Sequence, residues 1–139
     1  MPIKFAEIDE DIESCYSVMV QLRPHLSQSE FIQRVKRQMQ DGYKLAFLES
    51  KTGICAVAGF RISENLAWGK FLYLDDFVSD ENHRSKGSGK QFFSWLIDYG
   101  HAQGCKQFHL DSGVQRFLAH KFYFREGMKI MSYHFSMEL

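Results

Sequence analysis

Between residues 44 and 78 the chain carries three apolar runs, at 44–49, 54–62 and 69–78, parted only by Ser50-Lys51-Thr52-Gly53 and by a second turn at 63–66. Connections that short reverse a strand but cannot return it to its starting end, so the runs form three adjacent antiparallel strands. A sheet of this kind needs helices to cover it, and the flanking sequence has the period for them. Ile8, Ile12, Cys15, Met19 and Leu22 recur at helical steps, which predicts a helix over 9–22 stopped by Arg23-Pro24. Ser27 with Glu30 reads as a capping box, followed by Phe31, Val35 and Met39 on one face and a stop at Asp41-Gly42.

Beyond Ser79 the period turns helical again through Phe93, Leu96, Ile97 and Gly100, with a stop at Gly104. A short strand at 106–111 follows, then a helix at 114–125 closed by Gly127, then a final strand at 129–137 in which Ile130, Ser132, His134 and Ser136 alternate with apolar neighbours. With a short extra strand at 3–8, the order is ααβββαβαβ, an α/β chain without repeats or linkers. Its 139 residues suit a single domain, 1–139, with one core.

Composition narrows the function classes. Lys plus Arg and Asp plus Glu both number 17, so the formal charge is zero and a coat for nucleic acid or anionic lipid is not expected. No apolar run approaches the roughly 20 residues that a membrane helix needs. The opening Met1-Pro2-Ile3-Lys4-Phe5 lacks the apolar centre of a secretory signal, and the expected location is the cytoplasm. Cys15, Cys55 and Cys105 are few, far apart and without metal-ligand spacing, so neither disulfides nor zinc are expected. His25, His83, His101, His109, His120 and His134 show no paired spacing, and no metal ligand is proposed among them.

The segment richest in chemistry is Asp80-Glu81-Asn82-His83-Arg84-Ser85-Lys86-Gly87-Ser88-Gly89-Lys90, set between a strand end and a helix start. Gly87 and Gly89 permit positive φ and a close approach to backbone, first-turn amides lack partners, and Arg84, Lys86 and Lys90 add charge. Together with the helix dipole, these features suit a pyrophosphate held mainly by main chain. A P-loop is excluded because Arg84 stands where that pattern needs Gly and Gln91 where it needs Ser or Thr. A dinucleotide fold is excluded because its glycine fingerprint follows the first strand of a βαβ unit, not an antiparallel sheet.

Here the chain resembles the GNAT family of N-acetyltransferases. Arg84-Ser85-Lys86-Gly87-Ser88-Gly89 meets that family's acyl-CoA pattern Q/R-x-x-G-x-G/A. Tyr73-Leu74-Asp75-Asp76-Phe77-Val78 looks like its fourth strand, and Ala119-His120-Lys121-Phe122-Tyr123-Phe124-Arg125-Glu126-Gly127-Met128 looks like its A-x-x-F-Y-x-x-x-G-F segment. The match in element order spans nearly the whole chain. Departures are Glu81 where the family often has Pro, Ser85 where it often has Gly, and Arg116 where it often has Asn.

The resemblance implies a central mixed sheet with splayed strands and flanking helices, and acetyl-CoA as co-substrate. The backbone of Phe77, Val78 and Ser79 would pair with the pantetheine arm, and the amides of Arg84, Ser85, Lys86, Gly87, Ser88, Gly89 and Lys90 would hold the pyrophosphate. Acetyl would pass directly to an amine in a ternary complex, beside an oxyanion donor. Tyr123, which on its own reads as a core aromatic, is placed by the resemblance near the leaving thiolate as general acid.

For the base, the candidates are Asp75 and Asp76. In a regular strand, neighbouring side chains point to opposite faces, so only one of the two would face the cleft unless a bulge intervenes. The acceptor pocket is expected around Leu22 to Phe31 and Tyr43, and it suits a small-molecule amine rather than a protein, with no nucleic acid or membrane as partner and a homodimer left open. The alternatives are a protein N-terminal or lysine acetyltransferase, and a non-catalytic acyl-CoA sensor.

Overall fold

The computed structural model describes residues 2–83 and 87–139, which fall into two compact units, 1–109 and 110–139. The first unit opens with β1 (Ile3–Phe5), α1 (Asp9–Leu22) and α2 (Gln28–Met39). It continues through β2 (Lys44–Ser50), β3 (Gly53–Asn65), β4 (Gly69–Ser79), a 3₁₀ turn (Glu81–His83) and α3 (Ser88–Ala102) to β5 (Gln107–Leu110), whose last residue is the first of the second unit. The strands form one five-stranded mixed sheet in the order β1-β2-β3-β4-β5. β1 to β4 are antiparallel neighbours throughout; the short β2–β3 and β3–β4 turns require this, while β1 reaches β2 through α1 and α2.

Helix boundaries follow local chemistry. Arg23 ends α1 because the residue before Pro24 is driven out of the helical region, and it sits at φ −119°, ψ 67°. Ser27 caps α2 as its spacing to Glu30 predicts, its hydroxyl accepting from the Glu30 amide at 3.2 Å. Tyr16 of α1 ties down the turn between them by donating to the Leu26 carbonyl at 2.7 Å.

The pleat of the sheet separates two apolar layers. Ile12, Cys15 and Met19 of α1 and Phe31 and Val35 of α2 pack with Leu45, Phe47, Val57 and Val78 in one buried cluster. Phe60 and Phe77 instead meet Trp95, Tyr99 and Phe92 of α3, with ring centroids 5.5 to 6.2 Å apart. Ten large aliphatic and aromatic side chains, among them Phe60, Phe92, Phe93, Leu45 and Leu72, are almost wholly buried, and at about 1.5–3 kcal/mol each they hold the sheet between its helices.

β4 is not regular. Gly59 pairs with Asp76 while the next residue, Phe60, pairs with Leu74, so Asp75 is an extra residue bulged out of the ladder.

The second unit contains α4 (Phe117–Arg125), which the Gly127 amide follows at φ +94°. Residues 128–139 carry neither helix nor strand, so the strand expected at 129–137 has no partner within its own unit. Alternating sequence alone does not make a strand, because a ladder also needs main-chain hydrogen bonds to a neighbouring segment; the contact of this run with Asp111 is by side chain, His134 Nδ1 to Asp111 Oδ1 at 3.2 Å. Three other boundaries moved: β1 stops at Phe5 rather than residue 8, β3 runs on to Asn65, and α4 starts at Phe117 rather than 114. Among the described residues no helix is long and apolar enough to cross a membrane.

Candidate functional site

The bulge decides how Asp75 and Asp76 are used. Both carboxylates belong to one network on the α1 and α2 side of the sheet: the bulge is the exception under which the pleat does not part them. Asp76 accepts from Arg23 Nε at 2.9 Å through Oδ1 and from the Tyr43 hydroxyl at 2.8 Å through Oδ2. Arg23 also donates to the Asp75 carbonyl at 3.0 Å, so the end of α1 grips the bulge by main chain and side chain together.

Asp75 faces Arg61 of β3, whose Nη2 and Nε reach its Oδ2 at 2.7 and 3.1 Å. Its Oδ1 has only a long contact to Nε, 3.3 Å. Arg61 also donates to Gln38 of α2 at 2.8 Å and lies over the Tyr43 ring, 5.3 Å from the centroid. Burial pushes the Asp75 carboxyl above the ordinary carboxylate range and outweighs the pull of Arg61. The Tyr43 hydroxyl is driven well up by burial, then by the charge of Asp76, so it stays protonated as a donor.

At the far end of β4 the chain enters the glycine segment. Arg84, Ser85 and Lys86 lie outside the described residues. Gly87 precedes α3 at φ +77°, ψ 7°, a left-handed conformation that favours glycine, and a Cβ built there meets no described atom within 4 Å. Gly89 is a different case: it lies inside α3, whose helical backbone does not use its freedom. α3 has no side-chain cap and no acid in its first turn, so its leading amides and dipole are offered to an anion. Lys90 is exposed beside them, and Ser88 is buried.

Phe77, Val78 and Ser79 pair with Ala58, Val57 and Ala56 on β3. On β4's other side, β5 is only four residues long and begins where the Lys106 amide meets the Lys70 carbonyl, so it cannot reach the Ser79 end of the eleven-residue strand.

Tyr123 lies on α4 of the second unit, two turns after Arg116. Burial raises its hydroxyl above the usual tyrosine range, while the charge of Arg116 and its hydrogen bond to the hydroxyl pull the other way. Cys15 is buried in the α1 layer and its thiol is pushed up to about 12 by that burial, which makes it a poor nucleophile. Among the described residues no group of three or more His, Cys, Asp or Glu could hold a metal ion.

Sequence reasoning missed the roles of Arg23, Arg61 and Gln38 and gave His83 none. A signal existed: Asp75 and Asp76 in mid-strand need cations, and Arg61, in the otherwise apolar middle of the neighbouring strand, is the natural one.

Comparisons with known proteins bear on the family and the fold. Residues 5–128 match the Acetyltransferase (GNAT) family. An uncharacterized N-acetyltransferase of Bacillus subtilis (strain 168), YhdJ, is 33% identical over 128 residues, covering 91% of this chain and 90% of that protein. Glucosamine-6-phosphate N-acetyltransferase from Arabidopsis thaliana superposes with a TM-score of 0.76 at 26% identity, covering 99% of this chain and 97% of that one. An aminoglycoside N-acetyltransferase in complex with CoA superposes at 0.85 over 99% of this chain and 95% of its own, with 13% identity, a likeness of fold alone.

Proposed function

Because the chain belongs to the GNAT family of acetyltransferases, we propose that it moves the acetyl group of acetyl-CoA to a primary amine, directly, in a ternary complex. The start of α3 carries this reading: an uncapped helix N-terminus without a first-turn acid, entered through Gly87 in a left-handed conformation. That is a seat for a pyrophosphate bound by main-chain amides. The backbone of Phe77, Val78 and Ser79, past the reach of β5, is the stretch we assign to the pantetheine arm.

In the transfer the amine nitrogen forms a bond to the acetyl carbon and the carbon–sulfur bond breaks. We assign the amine proton to Asp75, whose carboxyl is raised and whose Oδ1 is only loosely engaged; the two oxygens of Asp76 are each taken, by Arg23 and Tyr43. The departing thiolate takes a proton from the Tyr123 hydroxyl. Residues 1–139 act as one acetyltransferase domain.

For the acceptor we favour a small-molecule amine. The carboxylates of Asp75 and Asp76 are each paired with an arginine, Arg61 and Arg23, so these four charges cancel where the acceptor amine would react. The substrates named for two similar structures, an aminoglycoside and glucosamine 6-phosphate, are small molecules as well. A screen of amines with acetyl-CoA, reading free CoA thiol, tests the proposal. Release with small amines and not with peptides is expected. Binding of acetyl-CoA with no release on any amine would leave a sensor instead.

A further inference from the structure

Between the end of β4 and the glycine segment, residues 80–83 are gripped from three directions. The Asp80 amide donates to the Cys55 carbonyl at 2.7 Å, and Cys55 is itself the residue left over where the β2–β3 register shifts. Gln21, in the last turn of α1, uses both ends of its amide: Nε2 donates to Asp80 Oδ1 at 2.7 Å and Oε1 accepts from the Glu81 amide at 3.0 Å. The second Asp80 oxygen stands 2.6 Å from His83 Nδ1, and His83 Nε2 stands 3.1 Å from the hydroxyl of Thr52 at the tip of the β2–β3 hairpin. Thr52 is held in turn by Ser50, 3.0 Å away.

A three-residue 3₁₀ turn at the surface does not need such a network for its own sake. Gln21 and Thr52 come from 60 and 31 residues away to reach it, and the hydrogen bonds from Gln21 and His83 hold the Asp80 carboxyl below the usual range, so it stays an acceptor at neutral pH. Its position is telling: the network fixes the first end of the segment, and α3, anchored by buried Phe92, Phe93 and Leu96, fixes the other.

We propose that Gln21, Asp80, His83 and Thr52 form a positioning chain that pre-sets the entry of the cofactor segment. It thereby sets the affinity for the pyrophosphate part of CoA without any of the four touching the acetyl group. This rests on the reading that the segment binds CoA. Entry residues 80–83 held in place before the ligand arrives lose less conformational freedom on binding, and each rotamer-rich group left loose costs affinity. Arg23 lies two residues beyond Gln21, so the same last turn of α1 that holds the cofactor entry also holds the β4 bulge.

The test is calorimetry with two probes, CoA and S-acetylpantetheine, which lacks the pyrophosphate. Thr52→Val removes the hydroxyl at an exposed turn with little change of shape, and Asp80→Asn removes the charge at the centre of the chain. Both are expected to weaken CoA roughly 3- to 30-fold and to leave S-acetylpantetheine unchanged, whereas Thr52→Ser binds CoA like the wild type. The proposal is overturned if Thr52→Val binds CoA normally, or if the variants weaken both probes in equal proportion, as general destabilisation would. Should the wild-type protein bind S-acetylpantetheine and CoA equally, it is the assignment of the pyrophosphate to this segment that fails, and the positioning chain fails with it.

Discussion

The Tyr43 hydroxyl reaches Asp76 at 2.8 Å by passing over Gly59, where even a single methyl group would stand 1.7 Å from the hydroxyl oxygen. Gly59 is the β3 partner of Asp76, just before the register shifts, so the glycine, the bulge and the carboxylate network form one design. The hydroxyl occupies the space a side chain at 59 would take.

Gly59→Ala should therefore be among the more damaging small substitutions in the sheet. It overpacks a buried site and breaks a hydrogen bond to a charged group, together about 3 kcal/mol. Denaturant unfolding checks this; a loss below about 0.5 kcal/mol would mean that Tyr43 moves aside freely and that its bond to Asp76 contributes little.

The two acids should separate in pH dependence. A base must be unprotonated, so activity falls as pH drops through its pKa, and the raised carboxyl of Asp75 places that acidic limb of kcat/KM above the ordinary carboxylate range. Asp75→Asn should abolish the limb along with most turnover. Asp76→Asn should keep the limb while lowering the melting temperature, because Arg23 and Tyr43 lose their partner.

Tyr123→Phe should keep the fold and the CoA affinity while turnover drops by roughly 10- to 1,000-fold. A general acid must be protonated, so activity falls as pH rises through its pKa. Arg116 draws that pKa down, and Arg116→Ala should move the alkaline limb to higher pH. An unmoved limb in Arg116→Ala, with wild-type kcat in Tyr123→Phe, would make the pair structural only.

Gly87→Val tests the anion seat. The Cβ meets open space among the described residues, so the protein tolerates the side chain apart from the strain of its positive φ, about 1–2 kcal/mol. A folded Gly87→Val, or the double variant Gly87→Val, Gly89→Val, should lose most CoA affinity by calorimetry. Unchanged affinity would move the pyrophosphate elsewhere.

Local chemistry made much of this legible in the sequence. The Arg23-Pro24 stop, the Ser27 and Glu30 cap and the short turns of the antiparallel sheet depend on neighbours in the chain, and they appear as read. What escaped depends on register. Whether Asp75 and Asp76 share a face turns on one extra residue in β4, which alternation cannot reveal because a bulge leaves residue types unchanged. The grip of Gln21 and Thr52 on residues 80–83 joins segments distant in sequence, so no spacing rule could report it. The run at 129–137 errs the other way: its alternation is real, but pairing is a property of two segments.

The most direct measurement of the central claim is the mass balance of one reaction, run with acetyl-CoA and the best small amine from the screen. Direct transfer in a ternary complex predicts acetylated amine and free CoA in equal amounts, with no acetyl mass on the protein when acetyl-CoA is supplied alone. An acetylated protein that passes its group to the amine in a second step, or CoA released without acetylated amine, would contradict it.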